Sequence, residues 1–119
     1  SFSNLFKNKN LIFENDYWGL SLGELIKNAN IDKNKNFSFT VCGLNYDNAK
    51  YYLKKNEIYK YDLVGEKKAD FVILTNRTSS LNDKIVTCFE KFKGINISEV
   101  KRNNITLSAI RKNIFKVTD

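Results

Sequence analysis

Few residues of this chain are of the types that perform catalysis, and the chain contains no His. Ser-His-Asp, Cys-His and zinc-hydrolase chemistry are therefore excluded within these 119 residues. The nearest approach to a catalytic carboxylate pair is Glu14 with Asp16. A strand would place both side chains on one face near the surface, so we interpret them as solvated acids. The glycines fit neither a GxGxxG motif nor a GxxxxGK[ST] loop. We predict no catalytic residue, no cofactor and no metal site.

Cys42 and Cys88 are the two cysteines of the chain, and their chemistry depends on the compartment. In an oxidising extracytoplasmic compartment two cysteines can pair. As free thiols they would be buried apolar side chains, and adjacent strands often hold Cα atoms beyond the limit of about 7 Å for a disulfide. The sequence favours two buried thiols, and the disulfide stays open as the alternative.

Tyr17 and Trp18 are the candidate ligand or interface contacts, and they come just before a helix start. Ser21 and Glu24 have the spacing of a capping box, in which two side chains satisfy two backbone N–H groups reciprocally. The pattern predicts a helix that begins at Ser21. We favour a structural role for Trp18 as a plug beneath this helix, with a sugar contact or a membrane-interface contact as the alternatives.

The first half of the chain predicts strands that alternate with helices. Leu11–Phe13 and Phe37–Cys42 have the composition of strands, and a second helix is expected from a cap at Asn45 to Lys55. Because strand–helix–strand crossovers make parallel neighbours, Phe37–Cys42 and Phe71–Leu74 should lie side by side beneath both helices. The first helix has one apolar stripe, made by Leu22, Leu25, Ile26 and Ala29.

The second half predicts strands with no helix between them. Tyr59–Val64 is typical of a short strand, Thr75–Lys84 of a loop, and Ile85–Phe92 alternates like a strand. Asn96–Val100 and Ile105–Ile110 should form a hairpin, because the adjacent Asn residues between them tolerate the positive φ of a primed turn.

These elements together predict one domain over residues 1–119. The expected fold is α/β, with a mixed sheet that has two βα crossovers in the N-terminal half and an antiparallel C-terminal half.

The net charge of +7 raises the question of an acidic partner. Nucleic acid, anionic lipid and acidic sugars would all be attracted. A Lys-rich and Asn-rich chain without Pro is also what AT-rich coding produces, and we favour that interpretation together with a solvated surface. Tyr and Lys residues interleave between positions 46 and 61 as in binders of single-stranded nucleic acid. No RRM or KH motif accompanies them, so nucleic acid is disfavoured as a partner.

Two stretches suggest a family. The first is DYWGLS at residues 16–21, which leads into an amphipathic helix, and the second is ADFVILTNR at residues 69–77. Together they resemble the soluble C-terminal region of multi-pass bacterial glycosyltransferases related to the protein O-mannosyltransferases and aminoarabinose transferases. The resemblance extends from Phe13 to Lys112.

The resemblance implies a non-catalytic domain on the extracytoplasmic, periplasmic face of the bacterial inner membrane. The parent enzyme would use a polyprenyl-phosphate sugar donor, and its catalytic acid would lie among membrane helices, so no catalytic residue transfers to this chain. Those helices would precede Ser1, in keeping with a chain that lacks Met and is expected to be an excised piece. The implied partners are these membrane helices and anionic lipid or polyprenyl-phosphate head groups. The alternatives are a small basic nucleic-acid-binding module and a free-standing α/β interaction domain.

Overall fold

The computed structural model of the protein describes residues 21–117. The helices in this range are α1 (residues 21–28), α2 (Tyr46–Lys55) and α3 (Cys88–Lys91). The strands are β1 (Phe37–Cys42), β2 (Tyr61–Leu63), β3 (Phe71–Thr75), β4 (Thr78–Leu81), β5 (Lys84–Thr87), β6 (Asn96–Arg102) and β7 (Ile105–Lys112). The strand predicted at Leu11–Phe13 lies outside the described residues.

Five strands form a mixed sheet in the order β2-β1-β3-β7-β6. β1 is parallel to β2 and β3, whereas β7 is antiparallel to β3 and β6. The centre of the sheet is apolar, since Ile73 lies between Val41 of β1 and Ile110 of β7. The predicted α/β fold with a parallel half and an antiparallel half is confirmed, and so is the parallel pairing of β1 with β3. β1, α2 and β2 form one crossover unit, and the other predicted crossover would begin outside the described residues.

Helices α1 and α2 bury the main hydrophobic core against one face of this sheet. α1 contributes Leu22, Leu25 and Ile26 of the stripe predicted above. α2 contributes Ala49 and Leu53, which are four residues apart and therefore share one side of the helix. Full burial of one aliphatic side chain is worth about 1.5–3 kcal/mol, so the shared core holds both helices on the sheet. The buried sheet residues of this face are Phe37, Phe39, Ile73, Val100 and Ile110.

The opposite face of the sheet is covered by α3 and by the chain that follows β7. Val72 and Leu74 of β3 point to this side and pack with Phe92, whose ring meets Phe115 edge-on at a centroid distance of 5.2 Å. β3 is therefore covered on both faces, which explains why its sequence is continuously apolar rather than alternating.

Asn residues cap the start of α2 and form the turn of the β6–β7 hairpin. The Asn45 side chain accepts a hydrogen bond from the Asn48 backbone N–H at 2.9 Å, which confirms the predicted cap. In the β6–β7 hairpin, Asn103 and Asn104 have φ values of 54° and 65°, as the primed turn requires. The predicted hairpin is confirmed.

The capping box predicted in α1 is wrong. Ser21 is already helical, and its buried hydroxyl is hydrogen-bonded to the Ser108 hydroxyl of β7. Glu24 forms an ion pair with Arg102 of β6, with a nitrogen–oxygen distance of 2.7 Å. Both side chains reach across to the sheet, so neither bonds the backbone N–H of the other residue as a capping box requires.

Residues 75–92 differ most from the sequence predictions. The stretch expected to be a loop contains β4, because Asn82 and Asp83 take positive φ values of 51° and 65° and turn the chain into a second hairpin with β5. The strand expected over Ile85–Phe92 ends at Thr87. There the Thr87 and Glu90 side chains each bond the other's backbone N–H, at 3.0 and 3.2 Å, and this capping box starts α3.

The remaining predicted strand, Tyr59–Val64, is present as the shorter β2. No helix within residues 21–117 is long and apolar enough to cross a membrane.

Candidate binding site

A cavity of about 370 Å³ opens where β1 and β3 begin, below the end of α1. Its apolar lining comes from five elements of the fold: Ile31 of the loop after α1, Phe37 of β1, Phe71 of β3, Ile97 of β6 and Ile110 of β7. Small-molecule sites typically have volumes of roughly 300–1,000 Å³ and combine apolar walls with a few polar groups. The cavity is within this range, and it is our candidate binding site.

The loop after α1 forms the roof of the cavity. Asn30 takes a positive φ of 51°, which turns the chain away from the helix axis. The Asp32 carboxylate then accepts a hydrogen bond from the Asn34 backbone N–H at 2.9 Å, and this closes a compact turn. The result is that Ile31 packs against the main core instead of facing solvent.

Aromatic rings form the floor of the cavity. The rings of Phe37 and Phe71 are stacked at a centroid distance of 5.3 Å, and Phe39 continues the stack at 5.3 Å from Phe37. The parallel register of β1 and β3 makes this arrangement, because it places Phe39 directly opposite Phe71. Phe37 is buried and Phe71 half-buried, so the floor is largely fixed by the core.

Ile97 closes one side of the cavity because of an irregularity in β6. The register shifts between Asn96 and Ser98, so Ile97 has no partner on β7. Such a bulge re-aims a side chain, and here Ile97 lines the cavity while remaining 43% exposed. Ile110, next to it, is fully buried.

The rim of the cavity carries the polar groups, namely Asn30, Asp32, Lys35 and Asn36. Asn36 donates a hydrogen bond to the Asp62 carboxylate at 2.6 Å, which ties the rim to β2. The walls are suited to an apolar or aromatic group, and the rim is suited to a polar group that remains near water. This arrangement is suited to binding and orienting a ligand, with Asp32 and Lys35 as the charged groups of the rim.

A disulfide joins Cys42 to Cys88 on the opposite face of the sheet, with a Cα–Cα distance of 5.8 Å. The prediction of two free thiols is therefore wrong. It assumed that both residues lay on strands, whereas Cys88 is the first residue of α3. The turn into α3 is fixed by a hydrogen bond from the Cys88 backbone N–H to the Arg77 carbonyl at 2.8 Å. This turn brings the Cys88 sulfur back over the end of β1, within bonding distance of Cys42.

Gly43 makes room for this crossing. It has a φ of 82°, and a Cβ at this position would overlap the Thr75 hydroxyl and crowd the Cys88 sulfur. The Thr75 hydroxyl donates a hydrogen bond to the Gly43 carbonyl at 2.9 Å. The backbone of β1, the end of β3 and the disulfide are therefore packed as one unit.

Among residues 21–117, two charged groups have shifted pKa values, and both have structural roles. The Lys116 ammonium and the Ser38 hydroxyl, hydrogen-bonded to the Asp70 carboxylate, hold the pKa of Asp70 below its ordinary value. Burial lowers the pKa of Arg111, whose guanidinium donates to the Phe89 carbonyl at 3.0 Å. Each group ties neighbouring segments together, and neither lines the cavity.

The residues predicted as site contacts, Tyr17 and Trp18, lie outside the described residues, as do Glu14 and Asp16. The interleaved Tyr and Lys residues fall mainly on α2, where Tyr52 is half-buried against the core and Tyr51 is exposed. The cavity was not predicted. Its one sequence signal is Ile31, the single large apolar residue in the polar segment between Lys27 and Phe37.

Among residues 21–117, no group of three His, Cys, Asp or Glu side chains is placed to hold a metal ion. No family model, no curated protein and no solved structure matches this chain. Because a fold of this class is shared by many unrelated activities, function has to be inferred from the site and the disulfide.

Proposed function

We propose that this chain is a non-catalytic, extracytoplasmic binding domain of a membrane-embedded glycosyltransferase that uses a polyprenyl-phosphate sugar donor. Within that enzyme it holds an acceptor or head group near the membrane-embedded catalytic centre, and it takes no part in the bond-making step.

The Cys42–Cys88 disulfide is the observation that carries the proposal. Both cysteines are buried, and no free cysteine remains among the described residues. Disulfides persist in oxidising compartments outside the cytoplasm and are rare where glutathione and thioredoxin keep thiols reduced. The bond therefore favours an extracytoplasmic location over the nucleic-acid-binding alternative, which would place the chain among cytoplasmic nucleic acids.

The cavity supports a binding role. A pocket with the Phe37–Phe71 stack as its floor and a polar rim at Lys35 matches a ligand that is apolar in one part and polar in another. Prenyl, acyl and aromatic acceptor groups all have this character. The parent enzyme class rests on the resemblance of residues 16–21 and 69–77 described above, of which the second forms β3 and its flanks.

The experiment compares the natural protein with this chain alone. Membranes from cells that produce the natural protein should transfer sugar from a polyprenyl-phosphate donor, and an in-frame deletion of residues 21–117 should reduce that transfer. The purified 119-residue chain should transfer none. Recovery of the natural protein from the cytosol with Cys42 and Cys88 alkylated as free thiols would contradict the proposal.

A further inference from the structure

The outer side of α2 has an unusual composition for a solvated helix. We call it the tyrosine–lysine face; it consists of Tyr46, Lys50, Tyr51, Lys54 and Lys55. Positions 46, 50 and 54 follow one another at intervals of four, and so do 51 and 55, so these side chains form adjacent rows along the helix. Tyr51 and Lys55 lie opposite the two buried residues of α2, Ala49 and Leu53. Tyr46 borders the buried side, because it comes three residues before Ala49.

The two tyrosines of this face are unusually open to solvent for aromatic residues. Tyr46 is 42% exposed and Tyr51 is 56% exposed. The Tyr51 ring leans edge-on against Tyr52 at a centroid distance of 4.9 Å, and the Lys55 ammonium lies 5.6 Å from its centre. A tyrosine presented in this way offers an apolar ring and a polar hydroxyl to the same surface, which suits a boundary between apolar and aqueous phases.

The face is also basic. Within residues 21–117, none of its three lysines forms an ion pair with a carboxylate. The acid on this side of the helix is Asp47, which lies in the first turn, where the helix dipole stabilises a negative charge. The net charge of the face is therefore positive, and its complement is an anionic surface.

We propose that the tyrosine–lysine face binds the anionic phospholipid surface of the membrane, with α2 lying along the membrane plane. The proposal rests on the extracytoplasmic location proposed above, and it deepens that function by naming the surface that holds the domain against the bilayer. Tyrosine rings sit at the head-group level of membranes, and lysines extend their long stems to reach lipid phosphates. At 1.5 Å per residue, α2 presents about 15 Å of this composition.

Lipid fits this face better than single-stranded nucleic acid. Single-strand binders use a basic groove that follows the backbone, with aromatic side chains on which successive bases stack. Here the aromatic and basic side chains project outward from one short helix and do not line a groove. The cavity described above lies in another part of the fold, where β1 and β3 begin, and no residue of α2 lines it. A helix that presents amphipathic and basic side chains outward matches an interfacial contact.

The test is vesicle co-sedimentation of the 119-residue chain. It should bind vesicles that contain phosphatidylglycerol, should bind pure phosphatidylcholine vesicles much more weakly, and should be released as salt rises from about 0.05 to 0.5 M, because screening shortens the electrostatic range. Each lysine near an anionic surface is worth on the order of fivefold in affinity, so replacing Lys50, Lys54 and Lys55 with Gln should weaken binding by roughly a hundredfold.

Matched variants distinguish binding through the tyrosine–lysine face from a general effect of net charge. Replacing three exposed lysines outside α2, namely Lys67, Lys84 and Lys93, with Gln changes the net charge equally and should weaken binding by less than about fivefold. For the aromatic contribution, the double variant Tyr46→Ser/Tyr51→Ser should lose affinity. The control Ile85→Ser/Ile95→Ser, whose residues are 83% and 87% exposed, should retain it. Circular dichroism confirms that each variant is folded.

Three outcomes would overturn the inference: no binding to phosphatidylglycerol vesicles at low salt, equal losses in the two lysine variants, or binding to single-stranded DNA tighter than to vesicles. Its failure is distinguishable from failure of the proposed function. A chain that is oxidised and extracytoplasmic but ignores vesicles contradicts only the inference, whereas a cytosolic, reduced chain contradicts the proposed function.

Discussion

Breaking the Cys42–Cys88 disulfide should remove a large share of the stability of this domain. The bond joins residues 46 positions apart in the sequence. The unfolded chain loses entropy when such a loop is closed, and for this length the chain-entropy relation gives about 4 kcal/mol of stabilisation. Since natural domains are stable by only about 5–15 kcal/mol, the reduced protein should be close to marginal.

The corresponding thermal shift can be estimated from the length of the chain. Unfolding entropy is about 2.1 cal/mol/K per residue, so for 119 residues a loss of 4 kcal/mol lowers the Tm by roughly 15 °C. Thermal melts followed by circular dichroism, with and without a phosphine reductant, measure this directly. The double variant Cys42→Ala/Cys88→Ala should melt like the reduced wild type and should not respond to reductant.

A shift below about 3 °C would refute this reasoning, since the closed loop would then contribute little to stability. So would a thiol titration of the unreduced, denatured chain that found two free thiols. Urea melts provide an independent check. Reduction should increase the dependence of the unfolding free energy on urea concentration, because an unfolded chain without the cross-link exposes more surface.

Three further predictions concern individual residues. Gly43→Ala should destabilise the domain by about 1–3 kcal/mol from the positive φ alone, measured by urea melts, and an unchanged midpoint would contradict the tight packing of this turn. Ile97→Trp should fill the cavity and abolish binding of an apolar fluorescent dye. The control Ile95→Trp, two residues away and 87% exposed, should leave dye binding intact. Equal effects of the two variants would show that the dye binds outside the cavity. Because the pKa of Asp70 is lowered in the folded state, the stabilisation it provides is present above its unfolded pKa of about 3.8 and is lost as pH falls through the folded value. Asp70→Asn should therefore lower the unfolding free energy by under about 1 kcal/mol at pH 7 and leave it unchanged at strongly acidic pH. A loss that grew as the pH fell would contradict the direction of this pKa shift.

The parts of the fold that follow from local periodicity and turn chemistry could be predicted from the sequence. The apolar run of β3 fits a strand covered on both faces, and the Asn103–Asn104 pair fits a primed hairpin turn, so both were placed correctly. The stripe of α1 predicted its buried side. In each case, neighbours along the chain carry the information.

What the sequence did not predict depends on contacts between distant segments. The Ser21 hydroxyl is engaged by Ser108, which is 87 residues away, and this pairing has no local signature. The disulfide depends on where the turn into α3 places Cys88, and the cavity wall at Ile97 depends on a bulge in β6. The candidate site is built from such contacts, which explains why it was missed.

The location of the chain relative to the membrane is the central claim, and one labelling measurement tests it most directly. Because the chain has two cysteines and they are joined to each other, Ile95→Cys at a position that is 87% exposed introduces a single reactive thiol. In intact cells producing the natural protein with this substitution, a membrane-impermeant maleimide should label residue 95, and residues 1–119 of the unsubstituted protein should stay unlabelled. Labelling that occurs only after the cells are lysed would contradict the extracytoplasmic location and, with it, the proposed function.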